Sequence, residues 1–352
     1  MKNSLFSLLR GAMLACVLTL GITGTSVAKE LHLYMWSEYI DPQILKDFEA
    51  KYQCKIVQDL YESNEEMIAK LQAGGLSQYD LVIPSDFVVP SMIKLGLLKS
   101  LDAAQIPNLK NLKPEHRTAA YDKGNHYSVP YQWGTVGLMY NKKLAPDFKP
   151  SWSVIFKPTD ARRPYVLIDS EREMIGTALK YMGKSMNTTN KTELKAAADL
   201  LIQAKKHKNF LGFEGGVGGK AKVAGGSAAY ALVYSGDAYR AMAEDKNLGF
   251  VNPKEGAVVW VDNMAIPAKA PNAALAYQFI NYILEAKVGA MLSNFNHFAT
   301  PNAASMPFID AADKKNPAVY PDATTLKSLE SILDLGKDNR LYSEIWKMVK
   351  TR

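Results

Sequence analysis

The chain predicts a two-lobed α/β fold, and three observations carry that expectation. Short apolar runs alternate with helix-period segments beyond residue 30, the pattern of a parallel sheet covered by helices. The 352 residues exceed what one hydrophobic core usually holds. Two long extended stretches, YSVPYQWGTVGLMYN (Tyr127–Asn141) and VVWVDNMAIPA (Val258–Ala268), read as an outward and a return crossover between lobes.

The elements follow in order. Leu31–Met35 is an apolar strand. Asp41 offers a helix N-cap and Pro42 suits the first helical position. Ile44, Leu45, Phe48 and Tyr52 then share one helix face. Lys55–Leu60 is a second strand, Ser63–Glu66 reads as a capping box, and Tyr79–Ser85 is a third strand ending near a proline. In such parallel sheets ligands gather at the C-terminal strand ends. Trp36 and Ser85 sit at two of them. The first crossover should bend at Pro130 and Gly134. Beyond it come a strand at Tyr165–Ile168, a helix from near Arg172, and a polar-capped helix over Lys191–Lys206. Gly212–Gly226 reads as a glycine-rich surface loop, Ala228–Tyr234 as an apolar segment. A long amphipathic helix runs through Leu275, Phe279, Ile280, Ile283 and Leu284.

The first 28 residues have the composition of a secretory signal peptide. Lys2 and Arg10 flank a short apolar run, and Ser26-Val27-Ala28 supplies small residues for cleavage after Ala28. The run is well short of the ~20 residues that span a bilayer. Met13-Leu14-Ala15 fits a lipid-attachment box before Cys16 poorly. Cleavage would leave Cys54 as the one cysteine, so no internal disulfide and no thiolate metal cluster is expected. The net charge of +7, or +5 without Lys2 and Arg10, accompanies no dense basic block with interleaved aromatics, so no nucleic-acid partner is expected. Lys205-Lys206-His207-Lys208 reads as the positive end of a helix.

Enzyme signals are weak. The five histidines lack metal-ligand spacing, and HExxH and GxSxG are absent. GGVGGKA (Gly215–Ala221) lacks the Ser or Thr and the first glycine of a phosphate loop. SMIK (Ser91–Lys94) has no companion motifs. No catalytic residue, metal or cofactor is expected.

What recurs is a carboxylate near an aromatic at a strand or loop end: Trp36 with Ser37, Glu38 and Tyr39; Ser85-Asp86-Phe87; Asp169 to Glu173; Tyr234 with Asp237; Trp260 with Asp262. The last spacing puts both side chains on one face of an extended segment. Aromatic faces with interspersed acids suit an organic cation, at roughly 0.5–2 kcal/mol per cation–π contact, with stronger charge-assisted hydrogen bonds beside them. They also suit a sugar, and both readings stay open on composition.

At these residues the sequence resembles the periplasmic spermidine/putrescine-binding proteins of bacterial polyamine ABC transporters, a family of extracellular solute-binding proteins. LYMWSEYI, YESNEEMIAKL, YDLVIPS, VPYQWGT, VVWVDNMAIPA and TPNAA carry the likeness in order, from about Glu30 to the C-terminus. The resemblance implies a type II periplasmic-binding fold, each lobe a mixed, mostly parallel sheet flanked by helices, closing on one polyamine in an interlobe cleft. Its lobes would be 29–134 plus 261–306 and 135–260 plus 307–352. It implies a periplasmic, monomeric, non-enzymatic protein that hands its ligand to an inner-membrane permease. It assigns ligand contact to Trp36, Ser37, Glu38, Tyr39, Ser85, Phe87, Glu173, Trp260, Asp262 and Phe298, with Tyr234 and Asp237 completing the site. Ser170, Tyr234 and Ile332 depart from spermidine-preferring members and Asp237 matches putrescine-preferring ones, while Glu38 and Phe87 look like the spermidine type. The choice of polyamine stays open. Glu38, Glu173, Asp237 and Asp262 are expected to repel one another until a polycation relieves them and favours closure.

Overall fold

A computed structural model describes residues 29–158, 163–215 and 217–352; the signal-peptide reading and Cys16 fall outside them. Among the described residues, ten strands form one curled mixed sheet. They are β1 (Lys29–Trp36), β2 (Cys54–Tyr61), β3 (Leu81–Val82), β4 (Ser128–Asn141), β5 (Tyr165–Ile168), β6 (Phe210–Glu214), β7 (Tyr230–Tyr234), β8 (Leu248–Val251), β9 (Val258–Ala265) and β10 (Glu330–Ser331). The main path runs β2-β1-β3-β9-β4-β7-β5-β6, with β10 on β9 and β8 on β4. β1 pairs parallel with β2 and β3, and β5 pairs parallel with β6 and β7. The antiparallel pair β4–β9 joins these two parallel halves. This is the two-lobed α/β architecture, and both crossover stretches are strands of that central pair.

Local chemistry explains the elements near the cleft. Asp41 accepts the Gln43 N–H, Pro42 opens the helix Pro42–Tyr52, and Ile44 and Phe48 bury its inner face, with Leu45 and Tyr52 packed beside them. Ser63 caps the helix Asn64–Gln72 through the Glu66 N–H, but Glu66 reaches back to the Glu62 N–H, one residue before the capping-box partner. The helices Glu171–Tyr181 and Lys191–Lys206 stand where expected, the second capped by Asn190.

Three expectations are corrected, and one element is additional. The third strand is only Leu81–Val82; beyond Pro84 the chain keeps a single bridge, Ser85 to Asp262. β4 shifts register at Pro130, where a proline offers no N–H, but pairing runs unbroken through Gly134. Gly212–Gly226 is not a loop throughout: it holds the end of β6 and a helix, Gly218–Ala224, whose Gly219 and Val223 are buried. The C-terminal helix Asn339–Thr351, which buries Tyr342, Ile345 and Val349, was not anticipated.

Gly137 on β4 shows how closely the second half is packed. A β-carbon there would overlap the Phe250 ring and lie 2.6 Å from the Val251 carbonyl oxygen, and a paired backbone cannot retreat. Gly137→Ala should therefore cost about 1–3 kcal/mol, the usual penalty of overpacking, read as a lower denaturation midpoint in urea with an unchanged slope.

Candidate functional site

All twelve residues singled out in the sequence line one cleft of about 420 Å³, within the range of small-molecule sites. The turn after β1 builds one wall. Trp36 ends the strand, its indole N–H donating to the Ile83 carbonyl at 2.9 Å and its ring set edge-on against Tyr61. Glu38 takes a left-handed backbone (φ 51°), which swings the chain so that Tyr39 points inward.

Asp262 on β9 is the point of convergence. The Tyr39 hydroxyl donates to one carboxylate oxygen at 2.8 Å and the Ser85 hydroxyl to the other at 2.7 Å. Ser85 is itself clamped by Asn64, whose amide donates to the Ser85 hydroxyl and whose carbonyl oxygen accepts the Ser85 N–H. Tyr39 is fixed through its carbonyl, which accepts the Tyr131 hydroxyl at 2.9 Å. From Tyr39 a series of edge-to-face rings, Phe298, Trp260 and Tyr234, crosses the cleft with centroid spacings of 5.1–5.8 Å. Gly134 permits this wall, since a β-carbon there would come within 2.7 Å of the Trp260 ring.

At the far end of the wall, Glu173 lies in the first turn of the helix Glu171–Tyr181, where a carboxylate complements the helix dipole. The Tyr234 hydroxyl donates to it at 3.0 Å. Glu173 and Asp262 are buried, and each is pushed up to about 7, first by burial, against the downward pull of their hydroxyl donors. No ion pair with either is found among the described residues.

Glu38 and Asp237 behave differently, and here the expectation of four mutually repelling acids is corrected. Arg240 donates to Asp237 at 2.5 Å and to Glu38 at 2.9 Å, and Lys220 reaches Glu38 at 3.1 Å. Asp237 sits one turn before Arg240 on the helix Ser235–Glu244, so the pair forms locally; burial still pushes its carboxyl up to about 6. Lys220 comes from the short helix inside the glycine-rich stretch.

Several lining residues stand outside the expected contact set. Asp86 is buried beside Asp262, and its carboxyl is held well above the ordinary range by burial and then by the Asp262 charge. Its signal was visible, an acid between Ser85 and Phe87. Asn64 looked like a helix-start residue only. Arg172, Ile332 and Trp346 also line the cleft. The Arg172 guanidinium donates to Leu333, Asn339 and Asn187 oxygens and stacks on Tyr342. No cluster of three or more His, Cys, Asp or Glu able to hold a metal occurs among the described residues, and none of their helices is long and apolar enough to cross a membrane.

A family model described as bacterial extracellular solute-binding protein matches residues 43–321. The chain belongs to that family. This solute-binding protein is 36% identical to the putrescine/cadaverine-binding protein of Pseudomonas aeruginosa, covering 98% of this chain and 100% of that one. It is 32% identical to the spermidine/putrescine-binding periplasmic protein of Escherichia coli, with 91% of each covered. The structure of a putative spermidine/putrescine ABC transporter protein from Listeria monocytogenes superposes with a TM-score of 0.85 at 34% identity, covering 92% of this chain and 99% of that one. Such a family binds solutes for transport and does not transform them, so the solute-binding protein is not an enzyme.

The buried acids set a pH signature. A carboxyl raised in the folded state holds a proton that the unfolded chain has released, so folding is favoured at low pH and loses that advantage as pH rises through about 7. His116, pushed down to about 4 by burial, acts oppositely, but only below its ordinary value of about 6.5. Without added solute, the melting temperature should fall between about pH 6.5 and 8, and less steeply in Asp262→Asn; equal slopes in both proteins would contradict the assignment.

Proposed function

We propose that this protein captures a polyamine of the putrescine or spermidine class in its cleft and delivers it to an inner-membrane ABC permease. The observation that carries the reading is the pair of buried acids, Asp262 and Glu173, joined by an aromatic wall and, among the described residues, paired with no cation. A buried carboxylate is costly without a charged partner. An alkylammonium supplies the charge, and the methylene chain between two ammonium groups suits the faces of Trp260, Phe298 and Tyr234. A sugar would leave both charges uncompensated. Trp36, Ser37, Glu38, Tyr39, Ser85, Phe87 and Asp237 complete the proposed contact set. The names of the relatives, which include putrescine, cadaverine and spermidine, point the same way.

The lobes are taken as 29–134 plus 261–306 and 135–260 plus 307–352. The pairing of Gly134 with Trp260 supports this, because the two central boundaries then lie on one rung of the β4–β9 ladder. The protein acts as a monomer in the periplasm, exported by residues 1–28 with cleavage after Ala28. Closure brings the two lobes' acids to one ligand, so ligand favours the closed state.

Isothermal titration of refolded, ligand-stripped protein with putrescine, spermidine and maltose tests the reading. Binding of a polyamine and not of maltose is expected, and Asp262→Asn should weaken it at least a hundredfold, about 2.7 kcal/mol. Affinity should rise with pH up to about 7 as Asp262 and Glu173 ionise. Maltose binding without polyamine binding would refute the proposal.

A further inference from the structure

One guanidinium beside the cleft has more acid around it than local helix pairing requires. Arg240 Nη2 reaches both the Asp237 and the Glu38 carboxylates, and its Nη1 donates to the Glu38 backbone carbonyl at 3.2 Å. Its side chain is only 18% exposed. Lys220 adds a second cation on Glu38. Two acids and two bases therefore balance their own charge at that end of the cleft, while the planar fork of Arg240 bridges Asp237 on one half of the molecule to the turn after β1 on the other.

We infer that Arg240 is a specificity-determining residue: it neutralises the Glu38–Asp237 end of the cleft, leaving Asp262 and Glu173 as the two buried acids open to a ligand, a pair that matches a diamine better than a triamine. The inference rests on the polyamine reading above and deepens it. Asp86 adds no third pole. It is buried beside Asp262 and accepts the Phe87 N–H at 2.9 Å, and burial and that neighbouring charge push its carboxyl well above the ordinary range, which disfavours a further charge there. A third ammonium would have to displace the Arg240 guanidinium from two carboxylates or remain without a buried counter-charge, and either lowers affinity for the longer ligand. Removing the guanidinium frees an acidic pole, and the Coulomb gain scales with ligand charge, so a trication benefits more than a dication.

The experiment is titration calorimetry of putrescine and spermidine into refolded protein, unmodified and as Arg240→Gln and Arg240→Lys, with thermal melts to verify cooperative folding. The unmodified protein should bind putrescine at least roughly tenfold tighter than spermidine, a difference of about 1.4 kcal/mol. Arg240→Gln should move the ratio at least roughly tenfold toward spermidine, and Arg240→Lys, which keeps the charge, should retain the diamine preference. Spermidine preference in the unmodified protein overturns the inference without needing either variant. So does an unchanged ratio in folded Arg240→Gln, or a ratio in Arg240→Lys that moves as far as in Arg240→Gln. In each of these cases polyamine binding itself stands. Binding of neither polyamine by the unmodified protein would overturn the polyamine reading, and this inference with it.

Discussion

The Asp262 carboxylate, buried and held by two hydroxyls, is the constraint on which the rest of the site depends. Its oxygens receive Tyr39 from the turn after β1 and Ser85 from the segment after β3, and Asn64, at the start of the helix after β2, locks Ser85 in turn. Four chain segments are thereby fixed relative to one another by a group that is expensive to bury. Neutral hydroxyl donors lower that cost without cancelling the charge. The acid is thus oriented by the fold and still lacks a counter-ion, which is the condition a cation-binding site needs.

The cleft divides electrostatically into a closed and an open part. Glu38 and Asp237 are satisfied by Arg240 and Lys220; Asp262 and Glu173 are satisfied by hydroxyls alone. This division explains how a protein of net charge +7 can favour a cation. Exposed lysines act through screened solvent over roughly 8–10 Å, whereas the buried acids act at contact distance in a poorly screened interior. The ion pairs from Arg240 and Lys220 to Glu38 also cross between the two halves of the sheet and so help hold the halves together.

Much of this was legible in the sequence where the signal was local. The cap at Asp41 and Pro42, the period of the first helix, the first two apolar strand runs and the Trp260–Asp262 spacing each follow from one stretch of chain, and each stands in the structure as read. The twelve residues could be gathered into one place because strand ends in such sheets converge, and because the family likeness aligned them. The failures are long-range. Nothing near Glu38 announces Lys220, 182 residues away, as its partner. The helix at Gly218–Ala224 escaped because its glycines lower helix propensity, and packing of Gly219 against Ala231 and Val233 outweighs that. The Asp237–Arg240 pair, at i and i+3 on one helix, was readable and shows that an acid near an aromatic need not be free for ligand. β8 and β10 exist through their pairing with β4 and β9 and have little pattern of their own.

The central strand pair ties recognition to motion. On the proposed division, the chain passes between lobes at Gly134 and at Trp260, which face each other across β4 and β9. Trp260 is also the middle ring of the aromatic wall, and Gly134 is bare because that ring needs the space. On that division, hinge and binding wall are the same rung of the sheet. A rotation of one lobe against the other must turn the backbone that holds Trp260, and with it the spacing to Phe298 on one side and Tyr234 on the other. A ligand lying along those faces is felt directly at the hinge, so closure needs no relay of intermediate contacts: the groups that bind and the groups that bend are neighbours along one strand.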